Sequence, residues 1–426
     1  MSIPRSCRSS RCSSRPAPGP RSGQALVLAL LLILFVLPMG VTLYRLVGQS
    51  VRSSVAESHQ KAALGYANSA IMDYMRQFSQ DPYSGHYDAA SLSRNNFLYD
   101  SGFSTVTYVA DPVNHNLYLK AEGKFTAGGA AARTQRAISA VIHFQSPLTK
   151  YGTMINGPFT LSASNVEYVG GMWVNGALSV TGSNVKWTGG PLIVNGSITG
   201  ATGATLDGTL YTSGASIGGL TVTGTRYNFV PATSWPTIDT NFYYANSTYV
   251  STFTQTIVFN STGSFTVVGG TSHSIPSTGA ILYCSGCNFT MSGVVSGRVT
   301  AVAAGTTGSG TQGNITVNNS LYYAGASSMT ASASNSFAAM ASNTIAFSKA
   351  SGNMYVAGTY FVQNGTTNMS VTGAAGARFA LNGVRTQGMT VSGFTGGVTL
   401  SYDPNLVAYP PPGLPETPML VNYRVH

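Results

Sequence analysis

Charge is scarce in this chain of 426 residues: only 8% are Asp, Glu, Lys or Arg, where a soluble enzyme usually carries about a quarter. Acids are the rarer sign, with 12 Asp and Glu against 22 Lys and Arg. A lyase or hydrolase on a β scaffold needs carboxylates gathered in one groove. Residues 151–426 hold only Glu167, Asp207, Asp239, Asp403 and Glu416, and of these only Glu167 and Asp207 fall near a spacing that stacked repeats could bring together. There is no G-x-S-x-G elbow, no P-loop and no metal-binding histidine pair. These shortages argue against an enzyme and against any cofactor or metal.

Cysteine is rare too. Cys7 and Cys12 lie near the N-terminus, and Cys284 and Cys287 form a lone Cys-Ser-Gly-Cys. A zinc site needs four ligands, and His273 is the only histidine between 151 and 425. A redox pair would sit in a βαβ context, which the surrounding sequence lacks. The favoured reading is a small structural disulfide between Cys284 and Cys287, formed outside the cytoplasm.

The net charge of +10 suggests nucleic acid until its distribution is considered. Arg5, Arg8, Arg11, Arg15 and Arg21 all precede a long apolar run, while residues 151–426 carry seven basic and five acidic side chains. That remainder is too small for strong counterion release on a phosphate backbone. A positive-inside leader accounts for most of the excess.

What the chain does have is hydrophobic length. Ala25 to Val41 is uncharged and apolar apart from Pro38 and Gly40, just long enough to span a bilayer as a helix. A secretory signal peptide would be shorter and would end in a small-residue cleavage site. Instead the helical pattern continues, with Tyr44, Val47, Val51, Val55, Ala62, Tyr66, Ala70, Tyr74 and Phe78 at three- or four-residue spacing. Asp81-Pro82 stops it. One helix from about Gln24 to Phe78 is expected, half in lipid and half amphipathic, with a local weakness at Pro38 and Gly40.

A basic leader ending in Arg21-Ser22-Gly23, an uncharged half-helix directly after the glycine and an amphipathic second half together resemble type IV pilin-like proteins. Gly23 to Leu34, with Tyr66-Ala-Asn-Ser-Ala70 further on, looks like the N-terminal segment of PilX-type minor pilins. The resemblance implies that prepilin peptidase cuts between Gly23 and Gln24, and that the helix then waits in the inner membrane as a single pass before packing against other pilin subunits. Major pilins carry Phe or Met first and Glu fifth after the cut, whereas this chain has Gln24 and Leu28. The missing acid favours a rare or tip position over the filament shaft.

Alternation predicts strands at Phe103–Val109, Leu117–Phe125 and Thr134–Phe144, with turn signals between them. From residue 151 the composition changes: 39 of the 49 glycines follow that point. Val174-Asn-Gly176 recurs as Val194-Asn-Gly196, and Met369-Ser-Val-Thr-Gly373 recurs as Met389-Thr-Val-Ser-Gly393, each 20 residues on. Short β-branched strands closed by glycine at that period are what a β-solenoid needs; a β-sandwich is the structural alternative. The expected organisation is a leader at 1–23, a long helix at 24–80, a small antiparallel sheet at 81–150, a right-handed parallel β-solenoid at 151–402 and a Pro-rich tail at 403–426, in a mainly β protein. Phe337 to Ile345 and the ending from Tyr402 to Pro415 resemble the C-terminal region of competence-associated solenoid pilins, which implies DNA uptake as one role at the pilus or cell surface.

Single-stranded DNA can be held by aromatic stacking with little charge. The candidate contacts are Arg226, Tyr227, Trp235, Tyr243, Tyr244, Lys186 and Arg298, with Lys349, Arg378 and Arg385 as further phosphate contacts. The competing reading is that the aromatics cap or cover an end of the solenoid. A different functional class is adhesion: a membrane-anchored β-solenoid adhesin, not processed as a pilin, would use its hydroxyl- and amide-rich surface to bind a glycan, a protein or a solid surface.

Overall fold

A computed structural model describes residues 22–81, 83, 96–99, 101–111, 114–126, 134–162, 166–230, 235–306, 310–325, 329–364, 369–386 and 388–426. The arginine-rich leader through Arg21 lies outside the described residues, and at Gly23 and Gln24 only the helical backbone is described. The protein is mainly β, with one long N-terminal helix.

That helix runs from Ser22 to Gln80, 59 residues without a break, or about 90 Å. It passes straight through Pro38. The Thr42 hydroxyl donates to the Pro38 carbonyl, so the expected weak point remains helical. The last four turns bury Ala63, Ala67, Ala70, Ile71, Tyr74 and Phe78 against an antiparallel sheet whose inner face carries Val106, Leu117, Leu119, Ile138, Ile142 and Phe144. Small residues at Ala63, Ala67 and Ala70 let the backbones approach closely. At Gly123 an added Cβ would stand 1.8 Å from the Ala63 carbonyl oxygen.

The sheet contains the three anticipated strands, as Gly102–Asp111, Asn116–Phe125 and Thr134–Gln145, together with Asn96–Tyr99 at one edge and Thr417–Val425 at the other. The last of these comes from the end of the Pro-rich tail and pairs antiparallel with Thr134–Gln145. The C-terminal strand therefore completes the small unit formed by the end of the helix and the strands up to Gln145, and the chain from 151 to 416 is inserted between two neighbouring strands of it.

The insertion is built mainly of parallel strands stacked on one another, with one antiparallel meander at Gln255–Asn260, Ser264–Val267 and Ser272–Ser274. The sequence repeats are direct neighbours: Val174 pairs with Val194, Met369 with Met389 and Val371 with Val391. Inward side chains of each strand stack on those of the next, which yields two cores. One is formed by residues such as Leu178, Val180, Trp187, Leu192 and Ile198, the other by Phe289, Val317, Phe337, Phe347 and Phe379. Turns stack as well. The Asn175 amide donates to Asn156 Oδ1 and the Asn195 amide to Asn175 Oδ1, at 2.9 and 3.0 Å. An amide ladder satisfies corner polar groups without charge, which is how a stack this poor in Lys and Glu stays hydrogen-bonded. A Cβ on Gly176 would lie 2.6 Å from the backbone of Gly157, one layer below, so glycine is needed at that corner.

The chain does not traverse this stack in one pass. One wall is a continuous run of parallel strands in the spatial order 249–251, 280–285, 298–304, 336–341, 354–362, 378–386, 153–155, 172–174, 192–194, 210–212 and 226–227. The chain enters near the middle at Thr153 and builds outward to Tyr227. It starts again at the far end with Tyr249, residues 235–248 lying along the outside of the wall, and builds back to Arg385, beside Thr153. That outer segment, with its helix Thr240–Asn246, and the stretch around Leu414 cover the outer face of that wall. Trp235, Ile238, Tyr243 and Leu414 pack there on Trp173, Ile193, Ile281, Met340 and Phe361. This explains why both faces of the wall are apolar.

Candidate functional site

From Leu26 to Ser58 every residue of the long helix is exposed. Leu28 is 65% exposed, Phe35 70% and Tyr44 82%. Fully burying each such side chain is worth about 1.5–3 kcal/mol, so a stripe this long in water would be a large standing cost. The helix from Leu26 is long and apolar enough to cross a membrane. Leu28 faces outward like its neighbours and offers no carboxylate.

The carboxylates of the inserted domain are each occupied locally. Asp239 caps the helix Thr240–Asn246, accepting from the amides of Asn241 and Phe242. Asp207 accepts from Thr223. Glu167 accepts from Thr188 at 3.0 Å and lies 3.7 Å from Lys186. Glu416 meets His115 at 3.0 Å and ties the tail to the small sheet. Asp403 is fully buried, accepts from the amides of Ala331 and Asn405, and has its pKa raised by burial. Among the described residues no cluster of three or more His, Cys, Asp or Glu could hold a metal.

Cys284 and Cys287 are disulfide-bonded and buried where the strand Ala280–Ser285 turns into Phe289–Val295. The bridge closes a short corner of the larger core and leaves no free thiol there.

The expected ligand contacts do not form one surface. Tyr243 is fully buried, its hydroxyl donating to the Gly413 carbonyl at 2.8 Å, and burial lifts its pKa well above 10.0. Trp235 stacks on Trp173 at 6.0 Å between ring centres, and its indole donates to the Gln363 carbonyl. Both belong to the cover over the wall. Tyr83, just beyond the long helix, packs edge-on to Tyr243 and donates to the Thr237 carbonyl, and burial pushes its pKa up to about 12. Arg298 is half-buried, donates to the Pro410 carbonyl, and has its pKa lowered by burial. Lys186 is exposed beside Glu167. Tyr244 is exposed, on the opposite side of the helix Thr240–Asn246 from buried Tyr243, near Tyr283. Lys349 donates to the Asn353 carbonyl, Arg378 is exposed, and Arg385 is 3% exposed.

Two of the expected contacts, Arg226 and Tyr227, lie in the open. They form the last strand of the wall, whose outer edge pairs with no other strand among the described residues. Tyr227 stacks on Tyr211 at 5.1 Å, and Phe229, 56% exposed, packs against both rings. Arg226, in register with inward-facing Leu210, is turned to the other face of the strand and donates to the Ala215 carbonyl. The three rings at a free strand edge form a surface on which planar groups can stack. Tyr211 escaped the sequence reading because it lies 16 residues before Tyr227, in the neighbouring strand.

No protein-family model matches the chain, and no curated protein matches it. Among solved structures it is similar to the competence-associated pilin ComZ from Thermus thermophilus, with 12% identity, a TM-score of 0.31, and coverage of 86% of this chain and 97% of that one. A likeness at that score carries no argument about function.

Proposed function

We propose that this protein is a non-enzymatic, pilin-like minor or tip subunit, held in the inner membrane by its N-terminal helix and then assembled into a surface filament. The observation that carries this reading is the division of one uninterrupted helix: an exposed apolar half from Leu26, then a half docked on a sheet that the C-terminal strand completes. A lipid-stored helix that later packs against identical helices needs that division. Prepilin peptidase would cut between Gly23 and Gln24, before assembly with other pilin subunits. The inserted strands form a right-handed parallel β-solenoid, lifted from the cell by the filament. Its ligand surface is the Tyr211, Tyr227 and Phe229 edge, where single-stranded DNA would be captured by stacking.

The test is the N-terminal residue of the mature protein in cells with and without prepilin peptidase. Gln24 at the terminus only when the peptidase is present supports the reading. A full-length leader retained in the membrane fraction of both strains replaces it with an unprocessed surface adhesin.

A further inference from the structure

At the junction where Arg385 meets Thr153, only one wall of the stack is continuous. On the other two walls the strands Met389–Ser392 and Gly397–Ser401 face Phe159–Leu161 and Glu167–Val169 without pairing to them. Between these edges lies a cleft of about 750 Å³, a size that suits a small ligand.

Arg385 lines this cleft and is nine-tenths or more buried. Its Nε donates to Thr153 Oγ1 at 3.3 Å, and its guanidinium lies over the Tyr168 ring at 5.4 Å. Its Nη2 is buried without a hydrogen-bond partner, and no carboxylate lies within ion-pair distance among the described residues. A second void beside it, about 10 Å³, has room for one water at most. A buried guanidinium with an unmatched donor is costly unless an anion completes it, and its planar fork fits a carboxylate in two-point contact.

The rest of the lining decides what carries that anion. Thr160, Ser162, Thr390, Thr399 and Ser401 offer hydroxyls, and Phe159 offers a partly exposed ring. The facing strand edges add free backbone donors and acceptors. Arg385 is the only cation in the lining, and Glu167 contributes a negative charge, so a chain of phosphates is repelled where a single carboxylate among hydroxyls is not.

We propose that the junction cleft binds an acidic saccharide, with Arg385 as the partner of its carboxylate. This site is separate from the Tyr227 edge and does not depend on the filament reading. The experiment uses the full chain in detergent micelles and calorimetric titration with a trisaccharide bearing a single galacturonate, its methyl ester and a single-stranded oligonucleotide. The acid should bind, the ester roughly ten-fold or more weaker, and Arg385→Gln should bring the acid down to the level of the ester. Thr399→Trp, an exposed change on the cleft wall, should block the acid even if Arg385→Gln fails to fold. Equal binding of acid and ester overturns the proposal, as does no binding at all, or binding that survives Thr399→Trp. An oligonucleotide that binds in place of the saccharide and depends on Arg385 overturns it too.

Discussion

Arg385 and Thr153 are neighbours in a parallel register, side chain bonded to side chain, although 232 residues separate them. The pairing joins two halves that both advance in the same direction along the wall, with the half that comes later in the chain standing first. It also gives residues 235–248 a structural role, since Trp235, Ile238 and Tyr243 cover the outer face of the wall between its two ends. The same junction leaves the two remaining walls unpaired.

Because Tyr243 fastens that segment, its truncation should loosen the outer face of the wall. Tyr243→Phe removes the hydroxyl that meets the Gly413 carbonyl and Met340 Sδ, and should cost about 1 kcal/mol. Tyr243→Ala also leaves a cavity under the cover and should cost about 3–5 kcal/mol. Urea unfolding of the solubilised full chain measures both. Equal, small effects would mean that the segment is not held by this ring.

Gly123 is the closest contact between the long helix and the small sheet. Gly123→Ala places a methyl on the Ala63 carbonyl, so the helix must lift, at a cost of about 1–3 kcal/mol. Protease digestion should then cut first between helix and sheet, with the inserted stack left whole. Unchanged protection of the helix C-terminal half would contradict this packing.

If the open aromatic edge holds single-stranded DNA, Tyr227→Ala and Phe229→Ala should each weaken binding of an oligonucleotide by about 1–3 kcal/mol. Both should leave the unfolding midpoint nearly unchanged, because the rings are exposed. Trp235→Ala should do the reverse, lowering the midpoint and sparing affinity. Fluorescence anisotropy beside thermal melts separates the two patterns, and a loss of affinity in Trp235→Ala alone would place the surface elsewhere.

Asp403 supplies a pH dependence whose sign is unusual for an acid. Burial raises its pKa above the ordinary 3.8, so the folded chain holds its proton more tightly than the unfolded one. Stability contributed at this site is therefore present below 3.8 and is lost as pH rises through the raised native value. Relative to Asp403→Asn, which does not titrate, the native protein should gain in unfolding midpoint as pH falls through that window. A difference that is flat, or that runs the other way, would show that the two amide donors outweigh the burial.

The sequence by itself determined what depends on neighbours along the chain. The uncharged run from Gln24, the alternation in the strands 102–145 and the 20-residue echoes of Val174-Asn-Gly176 and Met369-Ser-Val are local patterns, and the helix, the antiparallel strands and the parallel pairings follow them. Composition also raised both readings of the aromatic stretch, as a binding surface and as a cover. Only the tertiary structure could divide that stretch, packing Trp235 and Tyr243 onto the outer face of the wall and leaving Tyr227 at a free edge. It alone placed Thr417–Val425 beside Thr134–Gln145, because nothing in a nine-residue strand names its partner. It alone set Arg385 against Thr153 and Tyr168. Periodicity fixes the spacing between successive layers, but which layer starts the stack and which one closes it depends on where the connecting segment runs, and that is decided by packing across the wall.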